Sequence, residues 1–252
     1  DDDEPYLGAA TKHRKWSLVW VPRISSGLSL LMAGFMVGAA LSNWSAVRED
    51  TYNQLVTAIA FCDMAFAGAW SAANYPLPVD DGSADYVQGA SGSLPGCHIQ
   101  AFVVHWGFVT VLLYHCSLFL YLVIRRKSIL WHLIPVVSGT GVAFASLPFY
   151  DWNELICHFD ISLGPNLALA FAPSALTLMV AFVCLLLVLC RRRKYSSSFR
   201  SVATRHLLVL LVCGPIWWSL FYIKGSESYV WSLAIAILSP LHGFVHAMVC
   251  SQ

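Results

Sequence analysis

The sequence predicts an all-α fold, a bundle of seven transmembrane helices with the amino terminus outside. Hydrophobic residues make up 58% of the 252 residues and charged residues only 12%, whereas a soluble domain carries about 25% charged residues. Seven apolar stretches are long enough to cross a bilayer core, which takes about 20 residues of helix. Basic residues concentrate in the loops on one side of these stretches. Composition therefore places the chain in lipid, and membrane lipid is its first predicted partner.

The seven predicted segments form one membrane domain with short polar ends. No internal repeat divides the chain into matching halves, as happens in many transporters. Residues 1–23 are predicted as a polar extracellular leader, residues 24–250 as the seven-helix domain and residues 251–252 as a short cytoplasmic end. The segments themselves span residues 24–42, 55–75, 99–124, 129–148, 167–190, 206–223 and 229–250.

The distribution of charge predicts the orientation. The loop after the third segment reads RRKS, and the loop after the fifth reads RRRKYSSSFRSVATR. The opposite loops, around residues 80–85 and 151–160, contain acids and neither lysine nor arginine. Because lysine and arginine mark cytoplasmic loops, the amino terminus is predicted outside. The plasma membrane is the predicted location, with an organellar membrane as the alternative, and no nucleic-acid partner is predicted.

Two cysteines stand apart from the apolar segments. Cys97, in LPGCHIQ, lies at the outer end of the third segment, and Cys157, in NELICHFD, lies in the outer loop between the fourth and fifth. Both would face an oxidising compartment, where disulfides form and persist. A bridge between them is predicted, which would pin the loop over the mouth of the bundle. Two unpaired loop thiols are the alternative.

Several stretches resemble one branch of the G-protein-coupled receptors. They are WVPRISSGLSLL before and in the first segment, YNQLVTAIAFCDMAFAGAW in the second, CHIQAFVVHWGFVTVLLYHCSLFLYLVIRR in the third and SPLHGFVHAMV in the seventh. They resemble the cyclic-AMP-receptor-like receptors of protists and algae, in register over essentially the whole chain. The resemblance implies a receptor that binds an unidentified small extracellular ligand and signals to a G protein by opening its inner face.

The resemblance also suggests which residues would take these roles. Ligand contacts are expected beneath the Cys97–Cys157 bridge, where His105 lies about two helical turns below Cys97. At the inner face, Arg125 at the foot of the third segment is the first candidate for G-protein coupling. The full set of ligand-contact candidates is His98, Gln100, His105, Trp106, Phe108 and Trp218, and the coupling candidates are Arg125, Arg126 and Arg191.

Three further residues are candidates for a polar network inside the membrane. Asp63 is the only acid in the middle of any segment, and a carboxylate in lipid is costly and usually functional. In the resembled receptors, an acid in the second helix joins a network between helices two, three and seven. His242 and His246 are four residues apart and therefore share one helical face. The pair is predicted to hydrogen-bond toward Asp63.

Two other functions remain as alternatives. A histidine pair in the seventh helix is similar to that of seven-helix zinc hydrolases, which add a serine–histidine pair such as Ser128 and His132. In this chain that pair stands in the fourth segment rather than the second, so no metal, cofactor or catalytic residue is assigned. The other alternative is an accessory or structural subunit of a larger membrane complex. No lysine lies inside any segment, which excludes a retinal Schiff base.

Overall fold

The described part of the protein is helical. The structure is a computed structural model that describes residues 9–78, 90–152, 156–159, 164–190, 201, 204–207, 210 and 229–250. Its helices are α1 (Ala9–Ser42), α2 (Trp44–Glu49), α3 (Thr51–Ala72), α4 (Leu94–Ile124), α5 (Leu130–Ala145), α6 (Gly164–Cys190), α7 (Tyr229–Leu238) and α8 (His242–Cys250). The 3₁₀ turn Leu147–Phe149 leads into a hairpin of β1 (Tyr150–Trp152) and β2 (Cys157–Phe159).

Within the described ranges, three helices are long and apolar enough to cross a membrane. They are Val19–Ser42 within α1, the whole of α3 and the whole of α4, while α5 is a shorter apolar helix. The prediction of an all-α fold with apolar helices long enough to span a membrane is confirmed at this level, and the bundle of seven helices stays a prediction. Most of the predicted sixth segment, with Trp218, lies outside the described residues, as does Arg191.

Helix α1 begins earlier than the predicted first segment. It starts at Ala9, inside the predicted leader, and continues through Pro22. Residues 9–21 contain neither glycine nor proline, so nothing in this stretch breaks a helix even though its first half is too polar for lipid. Hydropathy located the membrane-spanning part of α1 but not the helix end.

The predicted seventh segment is two helices rather than one. The chain turns at residues 239–241 between α7 and α8, and Pro240 explains the break. Proline lacks the N–H that would bond the carbonyl four residues earlier, at Ala236. The Ser25 hydroxyl of α1 donates to that Ala236 oxygen at 2.9 Å. A side chain of α1 thus satisfies the carbonyl that the proline leaves without its helical partner.

A disulfide fastens the hairpin to the start of α4. Cys97 and Cys157 are bonded, and both are fully buried, so the predicted bridge is confirmed. The Gln100 side chain reinforces the joint: its Nε2 donates to Ala73 O at 2.7 Å, and its Oε1 accepts from Cys157 N at 3.2 Å. Tyr150 of β1 joins the hairpin to α5, because its hydroxyl donates a hydrogen bond to Ala143 O at 2.7 Å. Burial raises the pKa of this phenol, so the hydroxyl keeps its proton and the bond.

Removing the bridge should destabilise the fold. The two cysteines are 60 residues apart, and closing a loop of that length is worth about 4 kcal/mol in the chain-entropy treatment. We expect Cys97→Ser with Cys157→Ser to lower Tm in detergent by roughly 10 °C. Dithiothreitol should lower Tm of the parent protein and leave that of the double variant unchanged. Equal Tm values for parent and double variant would contradict the structural role.

Candidate functional site: a buried histidine–carboxylate cluster

Asp63 is held in the core by two histidines of α8. Its side chain is 1% exposed. His242 Nδ1 donates to Oδ1 at 2.6 Å, and His246 Nδ1 lies 3.2 Å from Oδ2. The predicted contact between the acid and the histidine pair is therefore present. It joins α3 to α8 across 179 residues of sequence.

The i, i+4 spacing brings both imidazoles to the same carboxylate. One turn of helix separates His242 from His246, and their rings stand nearly parallel, at 8° and with centroids 6.1 Å apart. Each ring presents its Nδ1 to a different oxygen of Asp63. Histidines one or two residues apart would point to different sides of the helix and could not both reach one carboxylate.

Gly243 allows α8 to approach close enough for these contacts. A Cβ at this position would lie 2.6 Å from Ser29 Oγ and 3.1 Å from Asp63 Cβ. Ser29 in turn accepts a hydrogen bond from Phe244 N at 3.1 Å. The backbone of α8 is thus anchored to α1 at the residue that follows Gly243.

Two more histidines join the cluster from other parts of the chain. His115 of α4 is fully buried, with its ring centroid 5.8 Å from His242 and 5.6 Å from His246. His206, in the helical stretch 204–207, lies 6.0 Å from His246 and 6.4 Å from His115. Four imidazoles and one carboxylate therefore share the core. We call these five residues, Asp63, His115, His206, His242 and His246, the histidine cluster.

Tyr52 connects the histidine cluster to the beginning of α3. Its hydroxyl is 3.0 Å from His206 Nε2, and the two rings meet edge to face. Since Tyr52 is eleven residues before Asp63, the two lie about 16 Å apart along the helix. The polar side chains thus extend from the middle of α3 to its first residues, which lie at the same end of the bundle as Arg125 of α4.

The cluster has spare hydrogen-bonding capacity. Among the described residues, neither ring nitrogen of His115 has a hydrogen-bond partner, nor has Nδ1 of His206. Buried polar groups normally find partners, and each exception calls for an explanation. A cavity of about 10 Å³ lies beside Asp63, lined also by Phe66, Phe108, Val111 and His242. That volume is at the lower limit for one water molecule.

Two predicted ligand contacts make hydrogen bonds inside the protein. Gln100 bonds to the end of α3 and to the hairpin. Trp106 Nε1 donates to Thr140 Oγ1 at 3.0 Å, so its indole faces α5. Both side chains serve the packing of described elements, and their predicted role toward a ligand stays a prediction.

The other predicted ligand contacts fall into two groups. His98 and His105 both pack against Tyr150 of the hairpin, with ring centroids 6.4 and 6.3 Å away, and their role toward a ligand stays a prediction. Phe108 lies deeper, at the cavity beside Asp63. Trp218 lies outside the described residues.

The inner end of α4 carries the coupling candidates. Arg125 ends the helix in the left-handed conformation, with φ 56°, and its N–H donates to Tyr121 O. Arg125 and Arg126 are both exposed. Arg191 belongs to the part of the chain that the structure does not describe.

Ser128 and His132 do not join the histidine cluster. Ser128 accepts from Leu130 N at 3.2 Å, and His132 Nε2 lies 3.4 Å from Gln54 Oε1. Gln54 precedes Asp63 by nine residues, or about 13 Å along α3. The described residues also contain no group of three or more His, Cys, Asp or Glu side chains already placed to hold a metal ion. The ligand set expected for a zinc hydrolase is therefore not assembled.

Sequence reasoning missed that His115 and His206 belong with Asp63. His115 was one of several histidines in an apolar stretch, and His206 stood at the edge of a segment. The available signal was the rarity of ionisable residues inside membrane segments, which makes each of them a functional candidate by default. That signal marks the residues but does not show which of them meet.

No protein-family model matches the sequence, and no curated protein is significantly similar to it.

Substituting Gly243 should separate α8 from Asp63. We expect Gly243→Ala to lower stability by about 1–3 kcal/mol, because the added methyl group meets Ser29 and Asp63 in a packed core. The matched control is Gly38→Ala in α1, where a Cβ would meet nothing within 4 Å and better helix propensity should stabilise slightly. Thermal unfolding of both variants in detergent measures the difference. A Gly243→Ala protein as stable as Gly38→Ala would refute the close approach.

Proposed function

We propose that this protein is a seven-transmembrane receptor that binds a small extracellular ligand and signals to a G protein. In this proposal the amino terminus and the hairpin face outward, and the sixth segment completes the bundle. The observation that carries it is the difference between the two ends of α4. A disulfide and a covering hairpin lie at one end of this 31-residue helix, and exposed arginines lie at the other.

The two ends suit opposite sides of a membrane. Disulfides persist in oxidising compartments, and lysine and arginine collect in cytoplasmic loops. A helix of 31 residues is about 46 Å long, enough to span the hydrocarbon core and both interfaces. The Cys97 end would therefore face the ligand and the Arg125 end the cytoplasm.

The basic end is held in a defined shape. Lys127 Nζ donates to Glu49 O at 2.7 Å, and Trp131 Nε1 donates to Arg126 O at 2.7 Å. These bonds fix the short link between α4 and α5 against α2. Arg125 and Arg126 are thereby presented on an ordered surface, which favours recognition of a partner protein.

The histidine cluster offers a connection between the two faces. It ties α3, α4, α8 and the stretch 204–207 together in the core. A ligand changes such a contact only if it binds one arrangement of the helices more tightly than another. The turn at Pro240, directly before α8, is a natural place for the helix to change direction.

An accessory subunit of a larger membrane complex is the second candidate. Gln100 and Trp106 favour it, because both are engaged in bonds that stabilise the fold. Co-purification separates the two functions. An accessory subunit should remain with its partners in fixed stoichiometry, whereas a receptor should hold a G protein only transiently. The zinc-hydrolase alternative has no such support, since Ser128 and His132 lie apart from the cluster.

Nucleotide exchange tests the receptor function. We expect the purified protein in lipid nanodiscs to accelerate exchange on a G protein from its own organism, in the presence of candidate extracts. Arg125→Gly should reduce that acceleration about tenfold, equivalent to ~1.4 kcal/mol of interface free energy. Glycine tolerates the left-handed conformation, so the change removes the arginine side chain without straining the backbone at this position.

Lys224→Gln is the control for loss of one basic charge, because Lys224 follows the sixth predicted segment (206–223) and therefore falls in a predicted outer loop. It should leave exchange unchanged. Absence of exchange on every G protein tested, together with constant co-purifying partners, would reject the receptor in favour of the accessory subunit.

A further inference from the structure

The histidine cluster holds a carboxylate whose charge must be compensated inside the core. His242 Nδ1 lies 2.6 Å from Oδ1 of Asp63, and His246 Nδ1 lies 3.2 Å from Oδ2. The three side chains are at most 2% exposed. Among the described residues, no lysine or arginine forms an ion pair with Asp63. A buried carboxylate is tolerated only when an opposite charge accompanies it, so that charge has to come from the histidines.

A proton on one of the two rings supplies this charge. Asp63 carries one negative charge, so one additional proton shared by His242 and His246 makes the contact neutral. Imidazole is the stronger base of the two partners, because the ordinary pKa of histidine is about 6.5 and that of aspartate about 3.9. Both rings already turn Nδ1 toward the carboxylate, so either can carry the additional proton on Nε2.

Polar side chains lead from this contact to one end of the bundle. The ring centroids of His115 and His206 lie 5.6 and 6.0 Å from that of His246. The hydroxyl of Tyr52 is 3.0 Å from His206 Nε2. Tyr52 is half-buried, and its N–H donates to the carboxylate of Asp50 at 3.1 Å. We call Tyr52, His206 and His115 the entry path, which begins at the first residues of α3.

The opposite direction from Asp63 is apolar. On the side toward the hairpin, the cavity beside the carboxylate is lined by Phe66, Phe108 and Val111. Aromatic and aliphatic side chains neither accept nor release protons. Polar groups therefore connect Asp63 to the Arg125 end of the bundle, while apolar groups separate it from the hairpin end.

The other titratable groups around the cluster, among the described residues, are thiols, phenols and one arginine. Thiols and phenols ordinarily have pKa values of about 8.5 and 10, so they are neutral near neutral pH. Arg205, next to His206 in sequence, is half-buried and always positive. Helix α1 contributes only the hydroxyl of Ser29. The neutral groups are Cys62 of α3, Tyr114 and Cys116 of α4, Cys184 of α6 and Tyr229 of α7.

We propose that the histidine cluster is a proton-binding site that exchanges its proton with water at the Arg125 end of the bundle. The contact between Asp63 and the two histidines of α8 holds the proton, and the entry path passes it in and out. Histidines and carboxylates form proton relays in membrane proteins. Loss of the proton would leave a buried carboxylate uncompensated and weaken the hold of α8 on α3. The site is independent of the receptor proposal.

Each transfer conserves the proton. Water gives a proton to the phenol oxygen of Tyr52, and the phenol gives its own proton to Nε2 of His206. A neutral imidazole that accepts at one nitrogen carries a proton on the other, so His206 releases its Nδ1 proton toward His115 or His246. One water molecule can bridge rings at these separations. Release follows the same steps in reverse.

Nitrogen NMR of the full-length protein in lipid nanodiscs tests the binding of the proton. With ¹⁵N-labelled histidine, an imidazolium is recognised because both of its ring nitrogens carry protons. At about pH 7.5 an exposed histidine is mostly neutral. We expect one imidazolium per protein that exchanges slowly with water, and we expect Asp63→Asn to remove it. The spectrum of the parent decides whether the proton is bound, even if Asp63→Asn does not fold.

Two tyrosine variants test the route. Tyr52→Phe should slow exchange of the imidazolium N–H with water at least tenfold and leave the amount of imidazolium unchanged, because only the hydroxyl of the entry path is lost. Tyr150→Phe is the matched control, since it removes a tyrosine hydroxyl at the hairpin end. It should change neither the amount nor the exchange rate.

Three results would overturn the proposal. A parent protein without an imidazolium in α8 at any pH between about 6 and 8 would mean that the contact serves packing alone. An imidazolium that Asp63→Asn leaves unchanged would place the proton elsewhere. Exchange as fast in Tyr52→Phe as in the parent would rule out the route through His206.

Discussion

The bond between Asp63 and His242 is the contact on which the core depends. A carboxylate that is 1% exposed in an apolar bundle is tolerated only with a close partner, and here the partner lies on α8, 179 residues away. Removing one member of such a buried pair typically costs about 3–5 kcal/mol. The acid therefore dictates how near α8 must come to α3. The glycine at 243, the Ser29 anchor and the Ser25 bond to Ala236 are arrangements that make this approach possible.

The hairpin end is organised by a different interaction. There the Cys97–Cys157 bridge and the Gln100 side chain hold α3, α4 and the hairpin together. Both systems share α4, which carries Cys97 near its beginning and His115 toward its end. A covalent link at one end and a polar cluster nearer the other make α4 the common support of the described fold.

Hydropathy, charge and residue rarity predicted much of this arrangement. Long apolar stretches identified the membrane helices, two loop cysteines indicated their bridge, and a single intramembrane acid indicated its histidine partners. Helix ends were less predictable, because polar residues at 9–18 continue a helix as readily as they end one. The break at Pro240 was missed because proline is common in membrane helices and stops only some of them.

Apart from the His242–His246 pair, the direction in which individual side chains face could not be read from the sequence pattern. Gln100 and Trp106 resemble ligand contacts by depth, yet each finds its partner on a neighbouring helix. His115 and His206 lie in the core because of the way their helices are rotated against the neighbouring helices. Rotation of a helix about its axis is set by packing against its neighbours, and local sequence patterns do not reveal that packing.

A double-mutant cycle between Asp63 and His242 tests the central claim most directly. Unfolding free energies would be measured for Asp63→Ala, His242→Ala and the double variant, with Asp63→Ala and His105→Ala as a distant control pair. We predict that Asp63 and His242 are coupled by about 2 kcal/mol or more and that the control pair is additive within ~0.5 kcal/mol. Additive effects at Asp63 and His242 would contradict the account.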